Sequence, residues 1–136
     1  MALSANRELS RYVDQQLRSF KAADEHIYKG ALLSIEAGGY VAPLTAGELF
    51  AGVAYEECDN SGGSDGDLSL RAYTVGDFEH ALSGATIANV GDAVYASDDG
   101  TLTFTSTSNT FVGYCVDVPS SGVVIVRIQP FATVSA

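Results

Sequence analysis

Four side chains in this 136-residue sequence could exchange protons or attack as nucleophiles near neutral pH: His26, His80, Cys58 and Cys115. A cysteine–histidine pair would need a thiol activated by a neighbouring positive charge or a helix N-terminus, and a tight turn to present it. Neither cysteine has such a local context. His80 lies in Phe78-Glu79-His80-Ala81-Leu82, whose alternation reads as a strand with the histidine at the surface. The two cysteines have no metal-like spacing; a bridge between them is conceivable, but they read as reduced thiols.

The acidic stretch Asp59 to Asp67, Asp-Asn-Ser-Gly-Gly-Ser-Asp-Gly-Asp, invites a calcium reading because hard cations take several oxygen ligands. It lacks the distal bidentate Glu and the flanking helices of an EF-hand, so a solvated hairpin tip is the better expectation. No phosphate-binding loop, dinucleotide fingerprint or zinc spacing is present, and the glycines are scattered as turn residues. The expectation is a protein that is not an enzyme and has no cofactor, metal or catalytic residue.

The elements that would position these residues are mostly strands. After His26 the apolar pattern alternates, and short runs rich in Val, Tyr, Thr and Leu are separated by Gly, Asp, Asn and Ser. Strands are predicted at 31–35, 40–42, 49–57, 68–74, 77–82, 93–96, 101–105, 111–118 and 123–128. Gly38-Gly39, Asp98-Asp99-Gly100 and Ser120-Ser121-Gly122 are predicted hairpin turns, the second with its glycine left-handed.

Before this body, Leu9, Tyr12, Val13, Leu17 and Phe20 recur at intervals of three and four and predict an amphipathic helix from Ser4 to Ala23. The chain thus reads as a mainly β protein: a helical arm over 1–26, then one body over 27–136. That body is a small β-barrel or compact sandwich of short antiparallel strands.

Charge divides the chain close to the same place, after Lys29. Residues 1–29 hold five of the seven basic side chains against four acids, whereas the remaining 107 hold two bases and thirteen acids. The net charge of −11 over residues 30–136 would repel a nucleic acid duplex, and the +1 over residues 1–29 does not reverse this. No window approaches the roughly 18 apolar residues of a membrane span, so the expectation is a soluble product of the cytoplasm.

In order, the body runs Tyr28-Lys29-Gly30-Ala31-Leu32, Gly39-Tyr40-Val41-Ala42-Pro43-Leu44, Phe50-Ala51-Gly52-Val53-Ala54 and Asn60-Ser61-Gly62-Gly63. It continues with Arg71-Ala72-Tyr73-Thr74-Val75-Gly76, Val90-Gly91-Asp92-Ala93-Val94-Tyr95-Ala96, Phe111-Val112-Gly113 and Val124-Ile125-Val126-Arg127-Ile128. Over about residues 27 to 130 this succession resembles the capsid cement, or head decoration, proteins of tailed bacteriophages. The resemblance implies a non-enzymatic protein on the outer surface of the virion, made in the host cytoplasm. It would bind the major capsid protein of the expanded head, as a homotrimer at three-fold and quasi-three-fold positions, and stabilise junctions between shell subunits. The leader lies outside the matching part.

In that frame Tyr12, Leu17 and Phe20 would supply packing contacts to the shell, with Arg11 and Arg18 as polar partners. The alternatives are a ligand- or carbohydrate-binding β-module using Tyr40, Tyr55, Tyr73 and Tyr114, a head-fibre base or tail component, and a small cysteine hydrolase.

Overall fold

The computed structural model describes residues 4–6 and 16–133. The strands are β1 (Leu17–Lys21), β2 (His26–Ile27), β3 (Leu32–Ile35), β4 (Val41–Pro43), β5 (Leu49–Ala54) and β6 (Cys58–Asp59). They continue as β7 (Ser69–Tyr73), β8 (Asp77–Ala81), β9 (Ala93–Ala96), β10 (Leu102–Thr103), β11 (Thr110–Ser120) and β12 (Val123–Ile128). A 3-10 turn spans Ile87–Asn89, and the described residues contain no α-helix.

Two five-stranded sheets run in the orders β1-β7-β5-β3-β4 and β10-β9-β11-β12-β8, with β2 and β6 as a separate ribbon. Every pairing between named strands is antiparallel. The edges of the first sheet meet only at a lone parallel bridge between Ala22 and Val41, so the sheet curls without closing into a barrel.

The first sheet is buried on both faces. One face contributes Leu32, Phe50 and Val53 to a core shared with Val94, Val112, Cys115, Val124, Val126 and Ile128 of the second sheet. The other face carries Leu33, Ala51, Ala54, Leu70 and Ala72, which pack with Ile27 and Cys58 of the ribbon. Small alanines at the ribbon-facing positions let two short strands approach closely, which is why β5 reads as a continuous apolar run rather than an alternation.

Bulges set which residues face the main core. The β3–β5 register slips between Leu33 and Ser34, so Phe50 and Val53, three apart, both point between the sheets. Along β11 a slip between Phe111 and Gly113 puts Val112 and Cys115 in the same layer. Gly113 permits this, since a Cβ there would lie 2.1 Å from the Arg127 carbonyl oxygen.

All nine predicted strands are present, some shortened. The helix expected from Ser4 to Ala23 is not: its part at 7–15 falls outside the described residues, and Leu17–Lys21 is a strand paired with β7 from Leu17↔Tyr73 to Lys21↔Ser69. Leu17 and Phe20 share a face in a helix but take opposite faces in a strand. Here Phe20 lies opposite Leu70 and packs on the ribbon-side core, while Leu17 lies opposite Tyr73, which packs on the main core. The ladder offered by β7 overrides the local helical pattern.

Two turn expectations hold and one needs correction. Gly38, Gly39 and Gly122 have positive φ, whereas Gly100 does not, and the β9–β10 turn is instead closed by a bond from the Gly100 N–H to Asp98 Oδ1 at 2.9 Å. The acidic stretch is no free hairpin tip. It connects β6 to β7 and is docked against Ala22–Asp24 through Asn60, which is 3% exposed and donates from Nδ2 to the carbonyls of Ala22, Ala23 and Ser64 at 3.2, 3.1 and 2.9 Å.

Candidate partner-binding surface

Of the five residues singled out for partner contact, Arg11 and Tyr12 fall outside the described residues, and Leu17, Arg18 and Phe20 lie together on β1, the edge of the first sheet. Arg18 and Lys21 are exposed, and Leu17 and Phe20 are half-buried. The Phe20 ring stacks on Phe131, with centroids 6.2 Å apart and planes at 22°. Phe131 holds a φ of 62°, rare for a bulky side chain, and its N–H donates to the Phe50 carbonyl at 2.8 Å while 54% of the residue stays exposed. The two aromatics thus form an apolar ridge beside the basic pair. No sequence signal pointed to Phe131, since its backbone conformation is set by the exit of the chain from β12.

The charges form a pattern. Arg71 is held by Glu56 at 3.0 Å and lies 4.8 Å over the Tyr55 ring, and Arg127 forms a two-point contact with Asp77 at 2.9 and 3.0 Å. These contacts hold the Glu56 and Asp77 carboxyls below the usual carboxylate range. Among the described residues, Arg18, Lys21 and Lys29 make no ion pair, and the first two lie on β1 in a strongly acidic chain.

The residues weighed for other chemistry are dispersed. Cys58 and Cys115 are free, buried and in different cores. Burial pushes both thiols up, reinforced at Cys58 by Glu56 and Asp59, which is the opposite of activation. His26 meets Glu57 at 2.6 Å and stacks on Tyr28 at 4.2 Å, and His80 Nδ1 lies 2.8 Å from its neighbour's carbonyl, that of Ala81.

The acids of the docked loop are engaged with protein donors. Asp59 accepts from Ser61, Asp65 from the Asp24 N–H and Asp67 from the Ser64 N–H. Of the four tyrosines, Tyr55 and Tyr73 meet edge to face at 5.4 Å, Tyr40 packs over Gly38 and Gly66, and Tyr114 packs on Phe111 in the second sheet. They form no common platform.

No protein-family model matches the sequence, and no curated protein matches it. Among solved structures, the fold is similar to the crystal structure of the head fiber gp8.5 N base of bacteriophage phi29. The likeness has a TM-score of 0.51 and an identity of 24%, and covers 83% of this chain and 94% of that one. It is a likeness of fold.

Proposed function

We propose that this chain is a structural protein of a bacteriophage virion, seated on the outer surface of the head, where it binds the major capsid protein as a homotrimer. The observation that carries this reading is the fold shared with the phi29 head fiber base along nearly the whole of that chain. The ordered succession of β phrases that resembles head decoration proteins supports the same location independently. Between the two roles, the base of a head fiber is favoured over a cement that clamps shell junctions, because the fold likeness is to a fiber base. The protein acts by binding and not by catalysis. Leu17, Arg18 and Phe20 on β1, with Arg11 and Tyr12 before it, are the proposed contacts.

Cryo-electron microscopy of particles from the source lysate tests the proposal. Density for this fold on the head exterior supports it. Its location in the tail, or its absence from the particle, would overturn the head assignment and bring forward the tail or ligand-binding alternatives.

A further inference from the structure

One groove brings together polar side chains that the fold itself does not use. It lies between the turn at 47–49, the loop at 106–109 and the chain at 132–133, and has a volume of about 360 Å³. Phe50 and Phe111, both buried, back it, and Glu48, Tyr95, Ser106 and Asn109 line it.

Both walls are held by bonds within the chain. The hydroxyl of Thr110, which is buried, donates to the Glu48 carbonyl at 2.7 Å and accepts from the Gly47 N–H at 3.0 Å. Across the groove the Asn109 N–H donates to the Ser106 carbonyl at 3.2 Å, and Asn109 Nδ2 donates to the Thr105 carbonyl at 2.9 Å. Ser108 and Phe131 are the two non-glycine residues of positive φ among the described residues, at 61° and 62°. One lies within the wall loop and the other directly before Ala132. Side chains rarely adopt that backbone, and it persists where surrounding contacts impose it. A groove fixed in this way loses little freedom on being filled.

The groups it offers define what it can take. Asn109 has committed its amide nitrogen, so its Oδ1 is left to accept. The Glu48 carboxylate and the Tyr95 and Ser106 hydroxyls have no partner among the described residues. No lysine or arginine lines the groove, so an anion would find no counter-charge and would meet Glu48. Two acceptors, two hydroxyls and an aromatic wall suit a molecule that carries several hydroxyl donors on a partly apolar ring. The volume is at the small end of the roughly 300–1,000 Å³ of small-molecule sites, which suits a mono- or disaccharide.

We propose that this groove binds a neutral saccharide, with the Glu48 carboxylate and Asn109 Oδ1 accepting from its hydroxyls and Tyr95 packing against its ring. Tyr40, Tyr55, Tyr73 and Tyr114 take no part in it. The proposal goes beyond attachment to the head and does not rest on it, since none of these side chains is among the contacts proposed for the shell.

Titration of the full-length, nitrogen-15-labelled chain with glucose, galactose, N-acetylglucosamine, maltose and lactose at millimolar concentration, followed by amide NMR, tests the proposal. Glucuronic acid serves as the anionic counterpart of glucose. At least one neutral sugar should shift the Asn109 side-chain amide and the Phe111 backbone amide to saturation, and glucuronic acid should not. Glu48→Gln exchanges a charged acceptor for a neutral one and should weaken that sugar about tenfold. Ser106→Trp fills the groove and should abolish binding. Glu48 and Ser106 are both exposed, so each variant should keep the fold, which the same spectra verify. No shift with any of the neutral sugars, shifts confined to other residues, equal binding of glucuronic acid, or unchanged affinity in either variant would overturn the proposal. So would movement of the same signals with protein concentration alone, which would assign the groove to a second copy of this chain.

Discussion

At the scale of single residues, the polar groups that matter most are those that tie loops down rather than those that could react. Asn60, itself buried, donates to two buried carbonyls of the chain just after β1 and to one of its own exposed loop. Asn60→Ala removes one donor from each while the Ala22 and Ala23 carbonyls keep the Gly66 and Glu25 N–H groups, and the loss of the docking contact should cost about 1–2 kcal/mol, read as a lower denaturant midpoint with unchanged slope. The raised pKa of both buried thiols leads to slow labelling of Cys58 and Cys115 by a thiol reagent in the native protein, with full labelling only in denaturant; rapid native labelling would contradict their burial. Carboxylates split by sign. Glu56, Asp59, Asp77 and Asp98 have depressed values, so their stabilisation is present above the ordinary carboxylate range and is lost as pH falls through the folded values. Glu25 is raised, by burial first and then by Glu36, Asp24 and Asp65, so its share is lost as pH rises. Glu25→Gln should therefore raise Tm slightly at pH 7 and leave it unchanged at pH 3, where the carboxyl is already neutral.

At the scale of elements, glycine bulges decide how strands present their side chains. Gly113→Ala places a methyl against the Arg127 backbone, and separating β11 from β12 there should cost ~2 kcal/mol or more, measured by thermal melting. The same feature explains what was legible. Strands with strict alternation, such as β8 and β12, could be placed from sequence because one face is more buried than the other at every step. The hairpin at Gly38-Gly39 was equally clear, because two positive φ angles call for glycine. β1 was not, since Leu17 and Phe20 sit three apart and satisfy a helical stripe as readily as two faces of a strand; only the presence of β7 decides. The ribbon β2–β6 escaped notice because two residues per strand carry no period. Asn60 was hidden in a stretch of polar residues whose composition says loop but not docking. For the site, Arg18 and Phe20 were identified from sequence, but Phe131 depends on contacts far apart in the chain.

At the scale of the whole molecule, an acidic, doubly layered β body with Arg18 and Lys21 on one edge is suited to sit on a large assembly while keeping most of its surface solvated. The two proposed head roles would then separate by linkage. A cement binds across shell junctions that exist only in the expanded head, so it must stabilise that state by RT ln(1 + [L]/Kd), roughly 2.7 kcal/mol per site at a hundredfold excess over Kd. A fiber base needs only a foothold on one shell surface, and a ligand that binds expanded and unexpanded shells equally shifts neither. With a fiber base, heads stripped of this protein and then reloaded should melt within a degree or so of stripped heads, and unexpanded shells that present the same foothold should take it up. A marked rise in head melting temperature on reloading, together with uptake by expanded heads alone, would instead establish the cement role. Deleting residues 1–15 divides the contacts further. The β body should stay folded because β1 is retained, and head binding should fall if Arg11 and Tyr12 touch the shell, whereas undiminished binding would confine the foothold to β1 and the body behind it.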